Sequence, residues 1–261
     1  MSATLHTIHT LFDAMTLDAT TGYVLLVVFV ATLIRSTLGF GEALVGVPLL
    51  ALRLPVTVAA PLAVLVSTLV AGVIVVQDWR KIDVRSAGRL VVASLFGIPL
   101  GVVLLTLGDD RVVKTLLGLV IVGFALSALL GGMTWRLEAD HPLLLLGAGF
   151  VAGILGGAYG MNGPPLAIYG AVRGWSPPQF RATLQGYFLP ASLAGLLGYL
   201  IAGLWVHAVT RYFLLSLPGI VVAVAAGRVL NHRLRGEAFF RSVYAGLVVV
   251  GAVLVGQAFA R

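Results

Sequence analysis

Polar residues punctuate this chain rather than alternate with apolar ones. Apolar runs extend over Thr21–Leu52, Val56–Val76, Ala87–Leu107, Val112–Leu130, Leu143–Val172, Ala182–Leu204, Tyr212–Val229 and Phe239–Phe259, with short basic connections between them. All but the first and fifth are close to the ~20 residues that a helix needs to cross the hydrocarbon core. The pattern therefore predicts an all-α polytopic membrane protein. The first and fifth runs are too long. Thr21–Leu52 has 32 residues, about 48 Å as a single helix, whereas the core of a bilayer is ~30 Å thick.

Each long run is interrupted by glycines near its middle. The first interruption reads Gly39-Phe40-Gly41-Glu42-Ala43-Leu44-Val45-Gly46-Val47-Pro48-Leu49. The second reads Gly156-Gly157-Ala158-Tyr159-Gly160-Met161-Asn162-Gly163-Pro164-Pro165-Leu166. A helix broken at membrane depth exposes backbone donors and acceptors that lipid cannot satisfy, so such breaks survive where they line an enclosed or watery cavity. Two breaks in corresponding halves point to a transporter's substrate site. Each long run is expected as two short helices meeting at a loop, with Pro48, Pro164 and Pro165 as helix-break prolines.

Aligning Pro48 with Pro165 superposes the breaks, and three further apolar segments follow each one. The chain thus reads as two four-segment repeats, 20–131 and 141–259, after a polar N-terminal segment 1–19 and joined by a loop 132–140. Met1–Ala19 lacks the basic lead-in and apolar core of a cleavable signal. Lys and Arg set orientation, because cytoplasmic loops are enriched in them. With Arg35 set aside, eight crossing segments divide them 7 to 9 between the two sides. Making the first and fifth segments re-entrant hairpins divides them 11 to 5. The hairpin arrangement is preferred. It leaves three crossings per repeat, inverts one repeat relative to the other, and puts both termini outside the cytoplasm.

Composition agrees with the pattern and narrows the chemistry. The chain is 59% hydrophobic and 10% charged, against about 25% charged residues in soluble domains. Its net charge of +7 lies mostly in loops, which marks membrane orientation rather than a nucleic-acid footprint. The absence of cysteine excludes disulfides, thiolate metal sites and cysteine nucleophiles. The expected partners are a small anion and the lipid bilayer, with no nucleic acid, metal or cofactor. The sequence leaves oligomeric state open, a homo-oligomer included.

Two charges sit deep within an apolar run, Arg35 and Glu42, and both flank the first break. An ionisable group at that depth costs at least ~2.5–3.5 kcal/mol on insertion scales. Arg35 could supply positive charge for an anion while Glu42 carries a coupling proton, or the two could pair and hold the break closed. The second break is uncharged but offers Tyr159, Met161 and Asn162 among Gly157, Gly160 and Gly163. Asn and Tyr can hydrogen-bond an oxyanion, glycines let backbone approach closely, and a half-helix starting there aims its positive end at the same spot. The competing reading is a packing surface of small residues. Gln185 is expected to point inward, with Thr183 and Tyr187 nearby in sequence. Ser67 and Thr68 lie at a similar depth and could simply bond back to their own helix. Arg173 and Arg181 read as interfacial anchors, and His141 and His207 as isolated interfacial residues.

Gly39-Phe40-Gly41 running to Pro48-Leu49, and Gly156-Gly157-Ala158-Tyr159-Gly160 running to Asn162-Gly163-Pro164-Pro165-Leu166, resemble the two signature segments of the sulfite-exporter TauE/SafE family. The resemblance extends over essentially the whole chain. It implies a bacterial inner-membrane, multi-pass secondary carrier for sulfite, sulfonates or related small anions, commonly working outward. Glu42-Ala43 departs from the glycine-dense first motif usual in that family, which makes Glu42 a feature of this chain to be explained.

Other classes fare worse. No phosphate-binding Gly-x-x-x-x-Gly-Lys-Ser/Thr loop is present for a primary pump. No His or Asp lies at membrane depth to activate a nucleophile, so an enzyme is not expected. A metal exporter needs clustered ligands, and Glu42 is alone. An anion channel and a non-transporting membrane assembly factor remain as alternatives to a carrier.

Overall fold

The computed structural model describes residues 18–39, 41–78, 84–131, 141–175, 177–231 and 237–259. Phe40, the segment before residue 18 and the 132–140 loop lie outside them. The described residues form ten helices: α1 Ala19–Leu38, α2 Glu42–Ala51, α3 Val56–Asp78, α4 Val84–Leu107, α5 Asp110–Leu129, α6 Pro142–Tyr159, α7 Gly163–Val172, α8 Pro177–Ile201, α9 His207–Asn231 and α10 Glu237–Phe259. Seven of these, α1, α3, α4, α5, α6, α8 and α9, are long and apolar enough to cross a membrane. The all-helical, multi-pass reading of the sequence holds.

Helix limits follow from local chemistry. Asp18 caps α1 by accepting the Thr21 N–H at 2.7 Å, and Asp109 caps α5 through the Arg111 N–H at 2.8 Å. Both satisfy donors that a helix start leaves unpaired. Pro142 opens α6 at a position where its missing N–H costs nothing.

The long runs do break at the glycines, but unequally. Each has a long first limb, 20 residues in α1 and 18 in α6, followed by a 10-residue half-helix. The limbs were expected to be short on both sides of the loop. The prolines do not make the breaks either. Pro48 sits inside α2, and Pro164 and Pro165 occupy the first turn of α7. The breaks come from glycine stereochemistry: Gly39 ends α1 at φ 88°, Gly41 precedes α2 at φ 97°, and Gly160 ends α6 at φ 67°. These are left-handed conformations that L side chains resist.

After its break, α2 folds back along α1. A Cβ on Gly46 would touch the Cβ of Ala31 at 3.3 Å. The Tyr23 hydroxyl, near the start of α1, donates to the Leu49 carbonyl at 2.6 Å, and the Arg53 guanidinium stacks 4.6 Å from the Tyr23 ring. In the second half, Leu166 and Tyr169 of α7 share a buried cluster with Leu145 and Ala152 of α6.

The two halves interdigitate. α4 packs along α6, and α1 along α9, as the most extensive contacts between halves together with α5 on α10. Gly149, Gly153 and Gly157 lie against Leu90, Ser94 and Ile98 in turn, so α4 and α6 run parallel. Gly219 and Gly227 lie against Phe29 and Ser36, so α1 and α9 also run parallel. In contrast, Gly118 meets Val255 while Val122 meets Gly251, an antiparallel pairing of α5 and α10. The α4–α6 crossing is a backbone contact: a Cβ on Gly101 or Gly153 would overlap the carbonyl of Ile154 or Ser94. Small residues permit such approach where lipid gives no hydrophobic drive between helices. The outer surface is itself apolar, with Phe96, Leu107, Leu119, Val221 and Val222 exposed.

Candidate functional site

Both breaks open onto one small cavity. Arg35, Gly41, Glu42, Ala43 and Leu44 line it from the first half together with Ser67 of α3. Gly160, Met161, Asn162, Gly163 and Pro164 line it from the second, with Phe188 of α8. Its volume is about 20 Å³, on the order of one ordered water.

Arg35 and Glu42 face each other across the tip of the first hairpin. The Arg35 Nη1 donates to Glu42 Oε2 at 2.6 Å, with both side chains almost fully buried. The same nitrogen donates to the Ser67 hydroxyl, and Nη2 donates to the Gln185 Oε1 at 3.3 Å. The Gln185 amide in turn donates to the Gly39 carbonyl at 2.7 Å. Thr32, one turn before Arg35, donates to Glu42 Oε1 at 3.2 Å. The Phe188 ring covers the guanidinium at 5.2 Å, a cation–π distance. Removing two charges from water costs several kcal/mol each, offset only when geometry and further hydrogen bonds are good. Here they are: α1, α2, α3 and α8 all contribute.

The network leaves two sets of donors over. Arg35 Nε has no hydrogen-bond partner among the described residues, although Arg35 is 2% exposed. The first backbone bond of α2 runs from the Val45 N–H to the Gly41 carbonyl at 3.1 Å. The N–H groups of Glu42, Ala43 and Leu44 therefore have no helical acceptor, and no side chain caps that end. The positive end of α2 faces the cavity with its donors uncommitted to the helix. The start of α7 differs, because Pro164 and Pro165 have no N–H to offer. Asn162 supplies the polar side chain there, and it is packed so closely on Gly156 that a Cβ would lie 2.8 Å from its Nδ2.

The residues singled out from sequence divide into two groups. Arg35, Gly41, Glu42, Gly160, Met161, Asn162 and Gly163 border the cavity, and Gln185 reaches it through Arg35. Gly39 contributes its carbonyl to Gln185. Gly157 instead packs on Ile98 in the α4–α6 crossing. Tyr159 donates to the Val113 carbonyl of α5 at 3.1 Å; both read as scaffold. Phe40 lies outside the described residues. Ser67 faces Arg35, whereas Thr68 bonds back to the Val64 carbonyl at 2.7 Å. Thr32 and Phe188 were not singled out. Their signal was periodicity: each lies three residues, nearly one helical turn, from a candidate, Thr32 from Arg35 and Phe188 from Gln185.

Among the described residues no three His, Cys, Asp or Glu side chains gather as a metal site. Compared with known families, residues 24–254 match the family described as Sulfite exporter TauE/SafE. Neither a curated protein nor a solved structure matches the chain.

Proposed function

The chain belongs to the sulfite exporter TauE/SafE family, whose members are membrane transporters rather than enzymes, and from that premise we propose that it carries sulfite, a sulfonate or a related small anion outward across the bacterial inner membrane. The observation that carries this reading is the shared cavity: two helix breaks, far apart in sequence, border one pocket that holds a buried arginine and an uncapped helix N-terminus.

The packing supports an inverted repeat. The α1–α2 hairpin returns to the level at which α1 begins, as the Tyr23 contacts with Leu49 and Arg53 require. Matching α1 to α6, α4 to α9 and α5 to α10 turns the parallel α4–α6 pair into the parallel α9–α1 pair. It maps the antiparallel α5–α10 pair onto itself. An axis lying in the membrane plane relates halves in this way, and the two hairpin tips then approach from opposite faces. Such repeats exchange access by moving against each other around a fixed midplane site. The small cavity is read as a closed arrangement that widens as one hairpin parts from the other.

Radiolabelled sulfite flux in proteoliposomes tests the reading, with sulfonates, sulfate, thiosulfate and small carboxylates as competitors. Saturable flux with sulfite or a sulfonate as the strongest competitor is expected. Non-saturable flux would make the protein a channel. No flux of any anion from folded protein would sink the transport reading and leave a membrane assembly role.

A further inference from the structure

We propose that the Glu42 carboxylate is a resident stand-in for the substrate, so that an anion displaces it from Arg35 and each anion bound takes up one proton. The inference rests on the anion-carrier reading above and specifies its coupling.

The geometry makes carboxylate and anion competitors. Glu42 Oε2 lies 2.6 Å from Arg35 Nη1, where an oxyanion's oxygen would sit. The guanidinium has further donors to give, since Nε has no partner among the described residues. The first-turn N–H groups of α2 and the Ser67 hydroxyl border the same cavity. An anion lodged among them would lie beside the Glu42 carboxylate. Two negative oxygens at that separation in a buried site repel each other strongly, and one arginine balances only one of them. Protonating Glu42 removes the conflict. A carboxylic acid keeps the acceptor role toward Thr32 and gives Arg35 up to the newcomer.

Other charges around the carboxylate do not resolve the conflict. Besides Arg35, α1 contributes Thr32, and the groups that hold Arg35 are Ser67 of α3 and Gln185 of α8, all uncharged. Tyr159 of α6 is committed to α5. Of the two further helices that pack on α2, α5 carries Asp110, Arg111 and Lys114 in its first two turns, with Lys114 held by Asp110 at 2.9 Å. The other, α10, presents Tyr244, which stands edge-on to Phe124. None of these faces the cavity with a second positive charge.

The cycle balances. On the side from which the anion enters, a proton from water joins a Glu42 oxygen and Arg35 Nη1 passes from carboxylate to anion. On the other side the anion leaves, the acid returns its proton to water, and the ion pair re-forms. A monoanion and its proton cross together without net charge, so outward movement is drawn by the anion's own gradient, is modulated by the pH difference, and does not answer to membrane potential.

Binding of methanesulfonate, whose charge is constant between pH 6 and 8, is the test. In the wild type the dissociation constant is expected to fall about tenfold per unit of falling pH, the linkage slope for one proton. In Glu42→Gln, which keeps the volume and stays neutral, it should be independent of pH and tighter than wild type at pH 8. Titration calorimetry of the wild type in buffers of differing ionisation enthalpy reads the proton directly, whatever the variant's fold. One proton taken up per anion supports displacement; none overturns it. A pH slope that survives in a folded Glu42→Gln protein also overturns it. Binding without pH dependence leaves the carrier reading standing and sinks only the coupling. Absence of methanesulfonate binding in both proteins at every pH overturns displacement by a sulfonate, and the sulfite flux measurement then decides the carrier reading separately.

Discussion

Arg35→Ala is expected to abolish anion flux and to destabilise the protein by about 3–5 kcal/mol, the usual consequence of leaving a buried charge without its partner. Glu42 would keep Thr32 but lose the guanidinium that neutralises it at 2.6 Å. Ser67 and Gln185 would lose their donor as well. Stability alone cannot separate a substrate ligand from a clasp holding the hairpin shut, so a second variant is needed. Arg35→Met combined with Glu42→Leu removes both charges while roughly conserving volume. Replacing buried ion pairs by apolar residues is often neutral or stabilising, so thermal unfolding in detergent should return most of the way to wild type. Flux in proteoliposomes should stay absent. Flux restored along with stability would make the pair a clasp and nothing more.

The second large effect concerns the scaffold. Gly153→Ala and Gly101→Ala should each lower stability by about 1–3 kcal/mol or more, because the added methyl overlaps backbone rather than a side chain that can turn away. The strain is transmitted to the site, since α6 continues from Gly153 directly into the Gly160–Asn162 loop. Flux should fall with stability. Gly123→Ala is the control. It lies in α5 with nothing within 4 Å of the new Cβ, so it should be unchanged or more stable by up to ~1 kcal/mol. Equal behaviour of the three variants in thermal unfolding would contradict the close α4–α6 crossing.

Much of this was legible in the sequence because membrane proteins obey severe constraints. The apolar run lengths alone required helices, and the glycine pairs marked where the backbone turns. Arg35 and Glu42 announced themselves by depth, since no lipid-facing position tolerates them cheaply. Their pairing was one of two open readings, because Arg35 and Glu42 are seven residues apart across a break. An unbroken helix would have set them two turns apart; the hairpin brings them into contact. Gly157 and Tyr159 were indistinguishable in sequence from their cavity-lining neighbours. Which glycines face another helix and which face a cavity depends on how far the helix turns before the break. Thr32 and Phe188 escaped notice because neither residue type is unusual in an apolar helix. The prolines misled for a related reason. Proline is tolerated within a membrane helix when neighbours satisfy the freed carbonyl, and Pro48 sits inside α2 in that way.

The claim on which the rest depends is that one anion sits between the two hairpin tips. Selenite shares the pyramidal shape of sulfite and carries an atom with a usable anomalous signal. A crystal grown or soaked with it at low pH, where Glu42 is neutral on the displacement mechanism, should show a selenium peak bounded by Arg35, Ser67, Asn162 and the first turn of α2. A peak elsewhere, or no peak while selenite competes with sulfite flux, would contradict a site formed by the two helix breaks.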